Sequence, residues 1–115
     1  MTELSNQTCI PCSGKLPPAT AEEIEVFKTQ VPEWDIVTEN NELHLQRTYK
    51  FPDFKTSLAF TQSVGEIAEQ EGHHPALLTE WGKVTVTWWT HAIKGLHQND
   101  FIMAAKTDHL MNSMK

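Results

Sequence analysis

Two alternating runs meet at a glycine and constrain the fold more than any other stretch of this chain. Residues 75–80 lead into Trp81-Gly82, and residues 83–90 lead out of it. Val84, Val86 and Trp88 recur with period two, with Thr85, Thr87 and Trp89 between them. Such neighbours face opposite sides of a pleated strand. Alternation on both sides of a glycine turn is the pattern of a β-hairpin. Residues equidistant from the turn of an antiparallel hairpin lie opposite each other. A turn centred on Gly82 sets His91 opposite His73, and a two-residue turn at Trp81-Gly82 shifts that pairing by one. His74 adjoins His73, so three imidazoles are expected at one end of a sheet. Imidazole is the side chain that titrates near neutral pH. His44, His97 and His109 read as scattered surface residues.

The rest of the chain supplies helices around a second hairpin. Residues 1–18, with Pro11, Gly14, Pro17 and Pro18, read as an irregular N-terminal arm, and residues 19–115 as one domain. Thr20-Ala21-Glu22-Glu23 is a capping box; Ile24, Phe27 and Val31 follow at helical spacing until Pro32. Residues 34–38 suit a short strand, residues 39–42 a polar turn, and alternating Leu43, Leu45, Arg47 and Tyr49 a second strand. Asp53 can cap a helix from residue 54 to about residue 70, ended by Gly72. Its buried stripe is expected to carry Phe54, Leu58, Thr61, Val64 and Ala68, widened by Phe60 and Ile67. Asn99 and Asp100 open a last helix through Phe101, Ala104, Ala105 and Leu110, where an acidic residue suits the helix dipole. The order α-β-β-α-β-β-α favours the α+β class, an antiparallel sheet with helices on one face.

At 115 residues the chain suits one modest core. The formal net charge is −6 and no basic run occurs, which argues against nucleic acid or an anionic membrane as partner. The first residues lack a charged-then-apolar signal pattern, and the run from 101 to 105 is too short to span a bilayer. A cytoplasmic protein is expected. Cys9 and Cys12 form a lone Cys-x-x-Cys without the second half of a zinc site. It also lacks the preceding strand and following helix of a thioredoxin-like redox site. A reduced, non-catalytic pair is expected; a metal shared with another chain and redox sensing are the alternatives.

Glu69 and His73 stand four apart, so a helix reaching that far puts them on one face, where the carboxylate can orient the imidazole. His74 precedes Pro75 and should be extended. A metal site is the weaker reading, because strand neighbours diverge and no His-x-His or His-x-x-x-His spacing is present. No serine lies in a nucleophile elbow, and neither cysteine is near the histidines in sequence. Metal-free acid–base chemistry fits the residues better. Trp34, Trp81, Trp88 and Trp89 can wall a planar heterocycle, although Trp81 and Trp88 are read first as packing residues.

The pattern Glu69-x3-His73-His74-Pro75-x5-Trp81-x9-His91-x8-Asp100 resembles the signature of the pterin-4a-carbinolamine dehydratases. Trp34, Asp53-Phe54 and Gly95-Leu96 also fall at positions like the family's, and the resemblance spans roughly residues 16–112. It implies a four-stranded antiparallel sheet with three helices on one face, in a homodimer or homotetramer without metal or other cofactor. It implies dehydration of 4a-hydroxytetrahydropterin to the quinonoid dihydropterin, which recycles the cofactor of aromatic amino acid hydroxylases. His73, His74 and His91 match the family's three active-site histidines. The pterin would lie between the His73-His74 segment and Trp89-Thr90-His91, with Trp34, Glu69 and Gly72 also expected around the substrate. Two positions depart from the pattern. Gly72 stands where some members carry aspartate or asparagine, and Trp89 stands where animal members carry serine, which narrows the mouth.

On this reading a histidinium protonates the 4a-hydroxyl and a neutral histidine accepts a ring N–H proton. His73 and His91 take these opposed roles, His74 binds and orients, and Asp100 is expected to cap the last helix. The competing functions are a non-catalytic dimerisation or assembly module on the same fold, and a small metal-dependent enzyme.

Overall fold

Residues that tolerate a left-handed backbone close the first hairpin. The computed structural model describes Leu4 and residues 18–113. Within it, Asn40 and Asn41 both take positive φ, 52° and 66°, between β1 (Asp35–Glu39) and β2 (Glu42–Lys50). Two successive left-handed residues make the turn whose twist suits a two-residue hairpin, and asparagine adopts that conformation more readily than most side chains. The second hairpin joins β3 (Ala76–Glu80) to β4 (Lys83–Trp88) through Trp81 and Gly82, with Glu80 opposite Lys83. The Phe51 N–H donates to the Gly82 carbonyl at 2.9 Å, and a Cβ on Gly82 would stand 3.4 Å from the Phe51 carbonyl oxygen. A side chain there would press against the strand exit.

The four strands form one antiparallel sheet in the order β1-β2-β4-β3. The edges are therefore β1 and β3. Among the described residues three α-helices accompany it: α1 (Ala21–Lys28), α2 (Phe54–Glu71) and α3 (Gln98–Ser113). This is the expected α-β-β-α-β-β-α order. Leu45, Tyr49, Val84, Val86 and Trp88 are buried on the helix side of the sheet. On the other side, Gln46 bonds Thr87 and Thr48 bonds Thr85 across the β2–β4 ladder. The capping box at Thr20 and Glu23 is formed, and α1 ends four residues before Pro32.

Helix α2 differs from the expected orientation. Ser57, Phe60, Val64 and Ala68 are its buried face, whereas Phe54 and Leu58 are exposed. The buried serine accounts for the rotation: its hydroxyl donates to the Asp53 carbonyl at 3.1 Å and can also reach the Trp81 carbonyl, so its burial carries little polar penalty. Hydropathy alone favoured Leu58 over Ser57. Trp81, read as a packing residue, projects from the hairpin tip at 69 % exposure, while Trp88 is buried.

A partly buried polar cluster is organised around Asp108 on α3. Its Oδ1 accepts from Trp34 Nε1 at 2.9 Å, from Arg47 at 2.8 Å and from the Tyr49 hydroxyl. Burial pushes the Tyr49 phenol far above its ordinary range, and the bond to Asp108 adds to the shift. Leu4, assigned by sequence to the irregular arm, is 1 % exposed within the core, and its N–H donates to Gln30 Oε1 at 2.9 Å. The Cys9–Cys12 pair lies outside the described residues. Among the described residues no helix is long and apolar enough to cross a membrane.

Candidate active site

The end of α2 sets the direction of the two adjacent histidines. Gly72 takes the left-handed conformation, φ 64° and ψ 28°. The Gly72 N–H returns to the Glu69 carbonyl and the His73 N–H to the Ala68 carbonyl, at 3.3 and 3.1 Å. This is a Schellman closure, which turns the chain sharply off the helix axis. No heavy atom lies within 4 Å of a Cβ built on Gly72, so the backbone conformation rather than space favours glycine here.

The turn separates His73 from the carboxylate expected to hold it. His73 is 4 % exposed, and its Nε2 lies 2.7 Å from Asp100 Oδ1. Its ring is nearly parallel to Trp88, with centroids 5.8 Å apart. Glu69 instead meets His74: Oε1 and Nε2 are 2.6 Å apart, with the two side chains 79 % and 59 % exposed. The helical spacing of Glu69 and His73 does not bring them together, because the chain leaves the helix at Gly72. An ion pair as exposed as Glu69–His74 contributes little to stability.

Asp100 does more than open α3. It is fully buried. Its Oδ1 takes His73, and its Oδ2 accepts from the Thr90 hydroxyl at 2.8 Å and from the His97 N–H at 2.9 Å. The last of these bonds is the capping role expected of it. The other two tie the segment after α2 to the segment after β4. Sequence reasoning placed Asp100 in the signature but missed its junction role. Its fixed distance from His91 was the available signal.

The hairpin ladder does not itself bring His91 to His73. Its last pair is Ala76 with Thr87, and Pro75 follows without an N–H to continue it. Beyond β4, Thr90 pairs with Gly95 instead, closing a loop over the 3₁₀ turn His91–Ile93. Thr90 is fully buried, so it serves this site by anchoring the loop. His91 is exposed and packs against half-buried Trp89, with ring centroids 4.3 Å apart. Trp89 also stacks on His44 at 4.1 Å and 15°. His44, expected at the surface, is therefore buried; it sits on β2, next to β4 in the sheet. His97 accepts from the Asn99 N–H, and His109 is exposed as expected.

Thus His73, Thr90 and Asp100 are directly linked, with His74 and His91 one residue along the chain from two of them. Trp34 stands apart from this linkage. It is fully buried, edge-on to Tyr49 and bonded to Asp108, and it supports the core rather than walling a ligand. Among the described residues, no three His, Cys, Asp or Glu side chains are arranged to hold a metal ion.

Comparison with known proteins places this geometry in a family. Residues 17–110 match the family model described as Pterin 4 alpha carbinolamine dehydratase. A Chlorobium limicola protein is 54 % identical over 110 residues, covering 96 % of this chain and 97 % of its own. One from Syntrophotalea carbinolica is 58 % identical over 111 residues, covering 96 % and 99 %. Both carry the name "Putative pterin-4-alpha-carbinolamine dehydratase". The crystal structure of a transcriptional coactivator/pterin dehydratase from Brucella melitensis aligns with a TM-score of 0.73 at 26 % identity, covering 82 % of this chain and 98 % of that one.

Proposed function

The chain belongs to the pterin 4 alpha carbinolamine dehydratase family, and on that premise we propose that it is a hydro-lyase removing water from 4a-hydroxytetrahydropterin. The product is the quinonoid dihydropterin. The observation that carries the reading is the Asp100 carboxylate, which holds His73 on one oxygen and Thr90, next to His91, on the other.

Hydroxide leaves poorly, so a histidinium donates a proton to the 4a-hydroxyl as the N5 lone pair expels water. The C4a–O bond breaks, a C4a–N5 double bond forms, and a neutral histidine takes a ring N–H proton. His73 and His91 carry these opposed proton transfers. The His73–Asp100 pair resembles the base-and-orienting-carboxylate arrangement of other acid–base sites. His74, exposed and paired with Glu69, binds and orients the substrate. Trp89 walls the site, the exposed backbone at Gly72 meets the polar edge of the pterin, and buried Thr90 holds the His91 loop in place. This chemistry draws on the chain's own side chains and requires no metal or other cofactor.

In this reading the protein recycles the pterin cofactor of an aromatic amino acid hydroxylase in the cytoplasm. It works as a homo-oligomer, since edge strands β1 and β3 offer unpaired backbone groups to a second copy. The test is a hydroxylase-coupled reaction in which loss of the 4a-carbinolamine absorbance is followed. The protein is expected to accelerate that loss, with or without a strong chelator. No acceleration contradicts the dehydratase assignment; loss with chelator and recovery with zinc contradicts the metal-free mechanism.

A further inference from the structure

His44 occupies an unfavourable place for an imidazole unless its ring has a structural task. It lies on β2, opposite Val37 of β1, and is 7 % exposed. Among the described residues its Nε2 is buried without a hydrogen-bond partner, and the Glu42 carboxylate stands 3.7 Å away. Burying a polar atom without a hydrogen bond is unfavourable, and the Glu42 carboxylate is too distant to supply one. The ring's aromatic contact supplies the structural task. His44 lies face to face with Trp89, and the same indole packs against His91. One indole therefore joins a buried ring on the sheet to an exposed ring in the site.

The backbone around His91 is held on both sides. Thr90 and Gly95 exchange hydrogen bonds, and the Thr90 hydroxyl is fixed to Asp100. The exposed His91 ring has no such backbone constraint of its own, and exposed side chains change rotamer within nanoseconds. Contact with a fixed indole narrows that freedom. The Trp89 indole is only half-buried, and the ring packed beneath it holds it in turn.

We propose that His44 is a positioning residue for the dehydration site, fixing the Trp89 indole and through it the orientation of the His91 imidazole. The proposal rests on the dehydratase reading for its kinetic consequences, but the ring alignment can be measured without turnover. Misplacement of a reacting group by about an ångström can cost up to about 10²-fold in rate, and a loosened ring costs less. His44→Ala is therefore expected to lower kcat on the order of tenfold, with a smaller change in KM.

The experiment uses the full-length protein and compares wild type, His44→Ala, His44→Phe, Trp89→Ala and the His44→Ala/Trp89→Ala double variant. Each is assayed for kcat and KM, and the His91 imidazole carbon-bound protons are followed by NMR. His44→Ala should move the His91 resonances in the direction that Trp89→Ala moves them, because both disturb the indole ring current. His44→Phe, which keeps a flat ring and discards the nitrogens, should restore both resonance and kcat. In the Trp89→Ala background, His44→Ala should cause no further loss of kcat, since its only route to His91 is gone. If His44→Ala does not fold, His44→Val, β-branched and suited to a strand, takes its place.

Unchanged His91 resonances on losing the His44 ring overturn the proposal. So does an equal loss of kcat with and without Trp89. Wild-type protein without turnover refutes the dehydratase reading instead, and the resonances still decide whether His44 aligns His91.

Discussion

The His73 imidazole and the Asp100 carboxylate, 2.7 Å apart and both buried, join the end of α2 to the start of α3. The same carboxylate holds Thr90 and the His97 N–H, so its loss strands three hydrogen-bonding groups. Asp100→Asn keeps the shape but alters what His73 and Thr90 can donate to. It should lower kcat on the order of 10²-fold through misplacement of His73. Asp100→Ala should also destabilise the fold by more than about 2 kcal/mol, since each buried unsatisfied group costs roughly 1–3 kcal/mol. Steady-state kinetics and urea unfolding check both. Wild-type kcat for Asp100→Asn would reduce Asp100 to a helix cap.

The orientation of α2 predicts unequal costs for two residues of similar hydropathy. Phe60→Ala, fully buried against Tyr49 and Phe51, should cost about 3–5 kcal/mol. Leu58→Ala, half exposed, should stay within about 0.5 kcal/mol in the isolated chain. Chemical denaturation of both variants at low protein concentration distinguishes this face from the one that includes Leu58.

Leu4 makes the N-terminal arm matter for stability. Leu4→Ala should destabilise by about 2–5 kcal/mol, the range for truncating a buried leucine. The same variant should keep its kcat, as the Leu4 hydrogen bond goes to Gln30, outside the His73–Asp100–Thr90 linkage. A fall in kcat without a fall in melting temperature would assign the arm a part in turnover.

Asp53 supplies the acid-side pH dependence. Hydrogen bonds from the Thr56 side chain and then its backbone N–H hold the carboxyl below its ordinary value. A depressed folded-state pKa stabilises the fold above the unfolded value, about 3.9, and that contribution disappears as pH falls through the folded value. The difference in stability between wild type and Asp53→Ala should therefore be constant near neutral pH and shrink below about pH 4. Unfolding curves from pH 7 to pH 2 measure it; a difference that grows on acidification would reverse the sign.

Much of the fold was legible because its signals are local. The capping box at Thr20, the asparagine turn, the cap at Asp53 and the glycine stop at Gly72 each act within a few residues. The face of α2 was not legible in the same way. Ser57 is buried because the Asp53 carbonyl satisfies its hydroxyl, with the Trp81 carbonyl also in reach, and the latter contact spans 24 residues. The site was legible as residue types and spacings but not as pairings. Helical periodicity paired Glu69 with His73, while the Gly72 closure gave Glu69 to His74 and left His73 for Asp100, 27 residues away. His44 was misread because nothing in a strand pattern tells a polar surface position from one covered by the tryptophan of a neighbouring segment.

The central claim is that His73 and His91 move the two protons of the dehydration. A positioned acid or base contributes about 10²–10⁴-fold, so His73→Ala and His91→Ala should each lower kcat by that order in an assay where chemistry limits the rate. Because both act in one event, the double variant should lose less than the product of the single losses. His74→Ala should act mainly on KM. The direct measurement is the single-turnover rate of 4a-carbinolamine loss for the wild type, the two single variants and the double variant. Large single losses with a less-than-multiplicative double loss are the predicted result; near-wild-type rates for both single variants would contradict the assignment.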